Sequence, residues 1–372
     1  MFFSSSLFPC RFFQLGEKNS GLKANFDVPP QDYGKLYAEC RDNDKLFEDS
    51  TFPANDSSFY LSGRGSRKFK WLRPSEIVGS PKFFSGGSSR FDVCQGEIGN
   101  CWFLAAVANL TMNAKLFERV VPNGQSFDQE QYAGIFHFRF WQYGKWIDVV
   151  IDDRLPTYQG KLMLMHSKDQ DEFWSALLEK AYAKLHGCYE SLKGGTTSEA
   201  MEDFTGGLTE HFETQSEECP QNLITIMLKA HERGAFMGCS IASEGSQIET
   251  ALPNGLIQGH AYSITSVKLV QIDHLKVQGK MPLVRVRNPW GNEAEWKGAW
   301  SDQSREWSIV SEQEKQTLGL TFDADGEFWM SFADFKKNFT NVEITNLTPD
   351  AIEDGKLFNK KKSFFFFFFS LH

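Results

Sequence analysis

The sequence predicts an α+β fold of two subdomains, a mainly helical first lobe and a β-rich second lobe, with the active site in the cleft between them. Three observations carry this. Apolar residues recur at helical spacing in Cys101 to Leu110 and again in Phe173 to His186. From Ala235 onward the chain turns to short β-prone runs bounded by glycine, proline and polar residues. The glycine pairs Gly194-Gly195 and Gly206-Gly207 bracket the change.

Taken in order, residues 1–34 are rich in Ser, Gly and Pro and are expected to be a disordered lead-in. Residues 35–205 form the first lobe. A helix is expected from Lys35 up to the Ser/Pro/Asn/Asp cluster at 50–58. Arg73-Pro74-Ser75-Glu76 starts a short turn, and Gly86-Gly87-Ser88-Ser89 is a flexible loop. Asn100 is placed to N-cap the run Cys101 to Leu110, which is apolar nearly all round and so reads as a buried helix. Ala133 to Arg139 and Lys145 to Ile151 suggest a hairpin turning at Gly144. Residues 206–349 form the second lobe, with a helix over Leu223 to Arg233 that stops at Gly234. Its strands are expected at Ala235–Ile241, His260–Val270, Pro282–Arg287, Glu327–Met330 and Val342–Ile344. Residues 350–372 are expected to be an unstructured tail ending in a phenylalanine tract.

A chain of 372 residues is long enough for two folded units, and its 41% hydrophobic and 23% charged residues are those of a soluble globular protein. The net charge of −9 argues against nucleic acid as a partner, because phosphate binding needs basic excess. The 7 cysteines are odd in number and include no C-x-x-C pair, which points to free thiols in a reducing compartment, hence the cytoplasm. No uncharged run is long enough to span a bilayer, and membrane association is not indicated.

Chemistry concentrates at Cys101. In the first turn of a buried helix the macrodipole and free backbone N–H groups favour a thiolate, a ready nucleophile. A packed, inert cysteine is the bland alternative. His260, at the start of a strand and flanked by Gly259 and Ala261, supplies a base, and Asn288, ending another strand, supplies an amide to orient it. Gln95, six residues before the thiol, offers a side-chain N–H to an oxyanion. Trp290 beside Asn288 would shield the His–Asn hydrogen bond, and we place it in the substrate-binding set. The order Cys, His, Asn over such separations is that of papain-like proteases, whose partners meet across the fold.

The segments QGEIGNCWFLAA, GHAYSI and RNPWG, together with FPANDSSF, EFWSALLEKAYAKLHGCYESL, EDFTGGLTE and DGEFWMSF, resemble the calpain cysteine-protease core over roughly Lys35 to Pro349. The resemblance implies a papain-like cysteine protease core and calcium-activated limited proteolysis of intracellular proteins. It implies catalysis by Cys101, His260 and Asn288 with Gln95 in the oxyanion hole, and Gly195 and Gly259 presenting backbone to the bound peptide. Calpains usually continue into a β-sandwich and often EF-hand modules, whereas this sequence stops in a phenylalanine tract.

Two acidic constellations suit a hard, oxygen-seeking cation, although a solvated acidic loop explains either from the residues alone. The resemblance implies one Ca²⁺ in each subdomain, the first at Ser85, Gly87, Asp92 and Glu172, the second at Glu295, Asp302, Asp323, Asp325 and Glu327. Both loops adjoin catalytic segments, so we expect the cations to close the cleft and bring Cys101 to His260. Expected partners are protein substrates and a protein inhibitor. The alternatives are a catalytically silent, calcium-responsive binding module of the same kind, or a transglutaminase, which would need an Asp where Asn288 stands.

Overall fold

The computed structural model describes residues 31–243, 249–274, 277–292, 294–323 and 325–348. The predicted tail, and the predicted lead-in as far as residue 30, lie outside the described residues.

The first lobe begins with α1 (Tyr33–Asp42), N-capped by Asp32, whose side chain accepts from Lys35 N. The helix expected to run on towards residue 48 stops here. Asn43 takes up the last turn, Asp44 adopts φ 48°, and Phe47 N–H donates instead to Ala133 O. Then follow α2 (Asp56–Phe59), β1 (Lys70–Leu72) and α3 (Pro74–Ile77), the last having proline at its start, where a missing N–H costs nothing. After α4 (Cys101–Leu110) and α5 (Ala114–Val120), β2 (Ile135–Gln142) and β3 (Lys145–Asp152) form the expected hairpin. Tyr143 and Gly144 both have positive φ, as a two-residue turn matched to strand twist requires. The short strands β4 (Leu155–Tyr158) and β5 (Lys161–Leu162) join β1 in a second small sheet. Next come α6 (Trp174–Leu185) and α7 (Thr197–Thr205), which ends at the left-handed Gly206; a Cβ there would meet the Trp141 ring at 2.7 Å.

The second lobe is a six-stranded antiparallel sheet with helices against it. In chain order it contains β6 (Leu208–Glu213), α8 (Leu223–Glu232), β7 (Phe236–Ile241), and the minor pair β8 (Thr250–Ala251) and β9 (Ile257–Gln258). The long hairpin β10 (His260–His274) and β11 (Val277–Arg287) follows, then α9 (Glu312–Leu318), β12 (Glu327–Ser331), α10 (Phe332–Asn338) and β13 (Asn341–Asn346). The strand order is β12-β11-β10-β7-β13-β6. β6 has no apolar alternation and was not expected as a strand; β13 recruits it, from Asn341 opposite Glu213 to Asn346 opposite Leu208.

Each lobe has its own apolar core, one around α4, α6 and the β2–β3 hairpin, the other between the sheet and α8 and α10. The helix α4 sits where they meet. All ten of its residues are buried, which explains why it is apolar on every face. Asn109 is a polar exception with a purpose: its Oδ1 accepts from Met237 N at 3.1 Å and its Nδ2 donates to Met237 O at 3.0 Å. Ser263 Oγ donates to Ala105 O at 2.9 Å. These bonds set the position of α4 against β7 and β10. At the far side of the cleft Arg90 donates twice to Glu327, at 2.8 Å each, linking the lobes again.

Candidate active site

Cys101 opens α4 and is 9% exposed. Asn100 is the N-cap, but not by the expected side-chain bond. Its Nδ2 turns away and donates to the buried Glu179 on α6 at 2.7 Å, while Glu179 also accepts from Met165 N at 2.9 Å. The start of the helix is therefore fastened from behind.

His260 opens β10 after Gly259, whose φ of 70° lets the chain turn while its N–H donates to Ile241 O at 2.8 Å. Ala261 N–H points at Cys101 Sγ from 3.4 Å, so the first residues of β10 lie directly across from the first turn of α4. A His260 ring nitrogen, Cys101 Sγ and a carboxylate oxygen of Glu249 all lie within 4.8 Å of one another. The other face of the imidazole meets Asn288, with Nε2 to Oδ1 at 2.8 Å. The Asn288 amide is oriented by its own partners. Trp290 N–H donates to Oδ1 at 3.0 Å, and Nδ2 donates to Ala294 O at 3.0 Å. Oδ1 is thus an acceptor, His260 Nε2 carries hydrogen, and Nδ1 faces the thiol. The Trp290 ring lies 5.1 Å from the imidazole and screens this bond. Burial opposes a charge on His260, but Cys101, Glu249 and Asn288 outweigh it and raise its pKa to about 9.

Gln95 reaches the same place. Its Nε2 donates to Ile98 O at 3.2 Å and to Glu249 Oε1 at 3.0 Å, and Glu249 Oε1 also lies 3.1 Å from His260 Nδ1. Burial works against the Glu249 carboxylate, yet His260 and Gln95 hold its pKa below the usual range. Nothing in the sequence flagged Glu249. It stands eleven residues before His260 in an unremarkable polar stretch, and only the fold carries it to the thiol. Gly195 packs face-on against Trp102, where a Cβ would meet ring carbons at 2.5 Å, and Gly194 N–H donates to Gly99 O at 3.0 Å. The glycine pair therefore borders the Cys101 loop.

One acidic group lies in each lobe, and Arg90 of the first lobe pairs with Glu327 of the second. In the first lobe Glu172 accepts from Ser85 N–H at 2.6 Å and from Ser167 Oγ at 2.7 Å, and Asp92 accepts from Ser89 N–H at 2.6 Å. Gly87, with φ 109°, allows the loop between them. Burial, with Asp92 and Asp169 close by, raises Glu172 to about 7. In the second lobe Glu295 accepts from Gly326 N–H at 2.8 Å, and burial followed by repulsion from Glu295, Asp325, Asp323 and Glu327 raises Asp302 to about 7. Glu327 is held differently, by Arg90, Arg285 and Thr265, and despite burial its pKa is lowered. Oxygen-only donors and mutually repelling, half-buried carboxyls fit a hard divalent cation such as Ca²⁺. Among the described residues no three of these carboxylates bring oxygens within 4.8 Å of one another, a closeness reached only by the Cys101, Glu249 and His260 trio.

Among the described residues no helix is long and apolar enough to cross a membrane. In comparison with known proteins, residues 47–346 match the family described as calpain family cysteine protease. The chain is 59% identical over 340 residues to Calpain-A of Drosophila melanogaster, covering 91% of this chain and 40% of that protein. It is 53% identical over 326 residues to Calpain-9 of Homo sapiens, covering 87% of this chain and 46% of that protein. It is 52% identical over 335 residues to the Calpain-1 catalytic subunit of Rattus norvegicus, again 46% of that protein's length. The chain thus spans less than half the length of each of these relatives.

Proposed function

The chain belongs to the calpain family of cysteine proteases, and on that premise we propose that it is a calcium-activated cysteine endopeptidase performing limited proteolysis of protein substrates. The observation that supports this best is the imidazole of His260 held between Asn288 Oδ1 at 2.8 Å and the Cys101 thiol.

In this reading the Cys101 thiolate and the His260 imidazolium form the resting pair. The thiolate attacks the scissile carbonyl, and the oxyanion is received by Gln95 Nε2–H and the backbone N–H of Cys101. His260 then gives its Nδ1 proton to the departing amine, leaving a thioester on Cys101. In the second half His260 takes a proton from water, the hydroxide attacks the thioester, and the peptide acid leaves with Cys101 restored as thiolate. Asn288 keeps the ring from rotating through both halves, and Trp290 keeps water off their bond. An extended peptide is held mostly through its backbone along Gly195 and Gly259, so cleavage is directed by accessible segments more than by side-chain pockets.

We assign Ser85, Gly87, Asp92 and Glu172 to one Ca²⁺ and Glu295, Asp302, Asp323, Asp325 and Glu327 to another. When bound, Ca²⁺ would supply positive charge to these carboxyls, of which Glu327 already has Arg90 and Arg285 beside it, and so would favour the ordered form of loops covalently joined to Gln95, Cys101 and Asn288. Hydrolysis of a casein-like protein and of a peptide, titrated with Ca²⁺, tests the proposal on this chain and its Cys101→Ala variant. Activity that rises with Ca²⁺ and disappears in Cys101→Ala is expected; full activity in excess chelator would refute the switch. A wild-type chain that neither cleaves peptide nor is labelled at Cys101 by a peptidyl epoxide would identify a silent binding module instead.

A further inference from the structure

Glu249 has no part in the cycle just described, yet its carboxylate lies between the oxyanion donor Gln95 and the His260 ring. It completes a trio of unlike donors, thiolate, imidazole and carboxylate, drawn from three separate segments and all within 4.8 Å of one another. From this geometry we propose that Cys101, Glu249 and His260 form a site for a single Zn²⁺ ion, which joins the two lobes and covers the nucleophile.

The donor set decides the metal. Thiolate, imidazole and one carboxylate suit a borderline-soft tetrahedral ion, whereas the oxygen-only groups at Asp92 and Asp302 suit Ca²⁺. Tetrahedral bonds of roughly 2.0–2.3 Å place donors about 3.5 Å apart, so a shift of about an ångström closes the set. The Glu249 side chain is 24% exposed and has room for it. The surroundings are already those of a metal ligand. A ligating imidazole needs its second N–H fixed by an acceptor, and His260 Nε2 donates to Asn288 Oδ1 at 2.8 Å, leaving Nδ1 for the ion. The carboxylate is steadied in turn by Gln95 Nε2 at 3.0 Å. Three protein donors leave the fourth position to water on the cleft side.

Binding forms Zn–S, Zn–N and Zn–O bonds and releases to solvent the one proton that the Cys101–His260 pair holds; no electrons are transferred. The ion therefore acts as a reversible brake on the nucleophile. That consequence rests on the protease reading, but the site itself does not.

The test uses the whole chain in saturating Ca²⁺, so that the oxygen-only groups are filled. Co²⁺ is titrated first, followed by its thiolate-to-cobalt charge-transfer band and its tetrahedral visible bands, then displaced with Zn²⁺. Alkylation of Cys101 by iodoacetamide is timed with and without Zn²⁺. We expect one ion per chain, alkylation slowed at least tenfold and restored by chelator, no charge-transfer band in Cys101→Ser, and binding at least tenfold weaker in both Glu249→Ala and Glu249→Gln. Thermal melts of the variants verify that they fold. An equal band in Cys101→Ser, alkylation indifferent to Zn²⁺, or a folded Glu249 variant that binds as tightly as the parent would overturn the site. Peptide hydrolysis is measured in parallel: a cobalt band without hydrolysis would sink the protease reading while leaving the metal site standing.

Discussion

Asn288 holds His260 through a single oxygen that also receives the Trp290 amide. Removing it frees the imidazole to rotate away from the thiol. We predict that Asn288→Ala lowers kcat on the order of a hundredfold, the size of effect that a misplacement of about 1 Å produces. The same bond helps to keep the imidazolium charged. Since His260 is raised to about 9, kcat/KM should fall on the alkaline side as that proton is lost, and Asn288→Ala should move this limb to lower pH. A pH profile of both proteins checks each part. The sign for stability agrees: a folded-state pKa above the ordinary value of about 6.5 contributes stability that is complete below that value and disappears as pH rises through about 9. At this scale the sequence was readable for Cys101, His260, Asn288 and Gln95, because each is a reactive or amide-bearing type at the edge of a recognisable element. Glu249 was not. An acid in a polar stretch is indistinguishable from a solvated one until the fold sets it against His260.

The helix α6 lies behind the nucleophile and carries two buried charged residues in succession. Glu179 fastens the N-cap of α4, and Lys180 Nζ donates to Asp152 Oδ1 and Arg154 O at 2.6 Å each. Lys180→Met would leave the buried Asp152 with less than its full set of partners. A cost of about 3–5 kcal/mol is expected from urea unfolding, as when one partner of a buried pair is removed. Burial works against the Asp152 carboxylate, but Lys180 and Arg154 hold its pKa at about 2. Its contribution is therefore present above about 3.9 and is lost only as pH falls towards 2, a loss that Lys180→Met should shift to higher pH. Glu179→Ala strands two donors, Asn100 Nδ2 and Met165 N, at about 1–3 kcal/mol each. Helical periodicity identified α6, and alternation with a glycine turn identified the β2–β3 hairpin, because both patterns are local. The strand β6 is defined by its pairing with β13, from Glu213 opposite Asn341 to Leu208 opposite Asn346 far along the chain, so no local pattern announced it.

Across the whole molecule, the catalytic distance depends on how one helix of the first lobe sits on the sheet of the second. Asn109 mimics a neighbouring strand by satisfying both the N–H and the C=O of Met237, and Ser263 ties β10 to Ala105 one turn beyond Cys101. We predict that Asn109→Ala destabilises the protein by about 2 kcal/mol or more, since two buried backbone groups lose partners. It should also lower kcat, because the thiol moves relative to His260. Melting temperature and steady-state kinetics on the same preparation separate the two effects. By itself the sequence determined the helices and hairpin with strong periodicity, offered Cys101, His260 and Asn288 as candidates that the fold then brings together, and set out the acids available to a cation, all of which follow from residue type and near-neighbour spacing. Only the tertiary structure decided how the lobes meet, which acid reaches the thiol, and that Glu327 is bound to Arg90. Those outcomes arise from contacts between residues far apart in the chain, where the packing of one surface on another sets distances that sequence spacing does not encode.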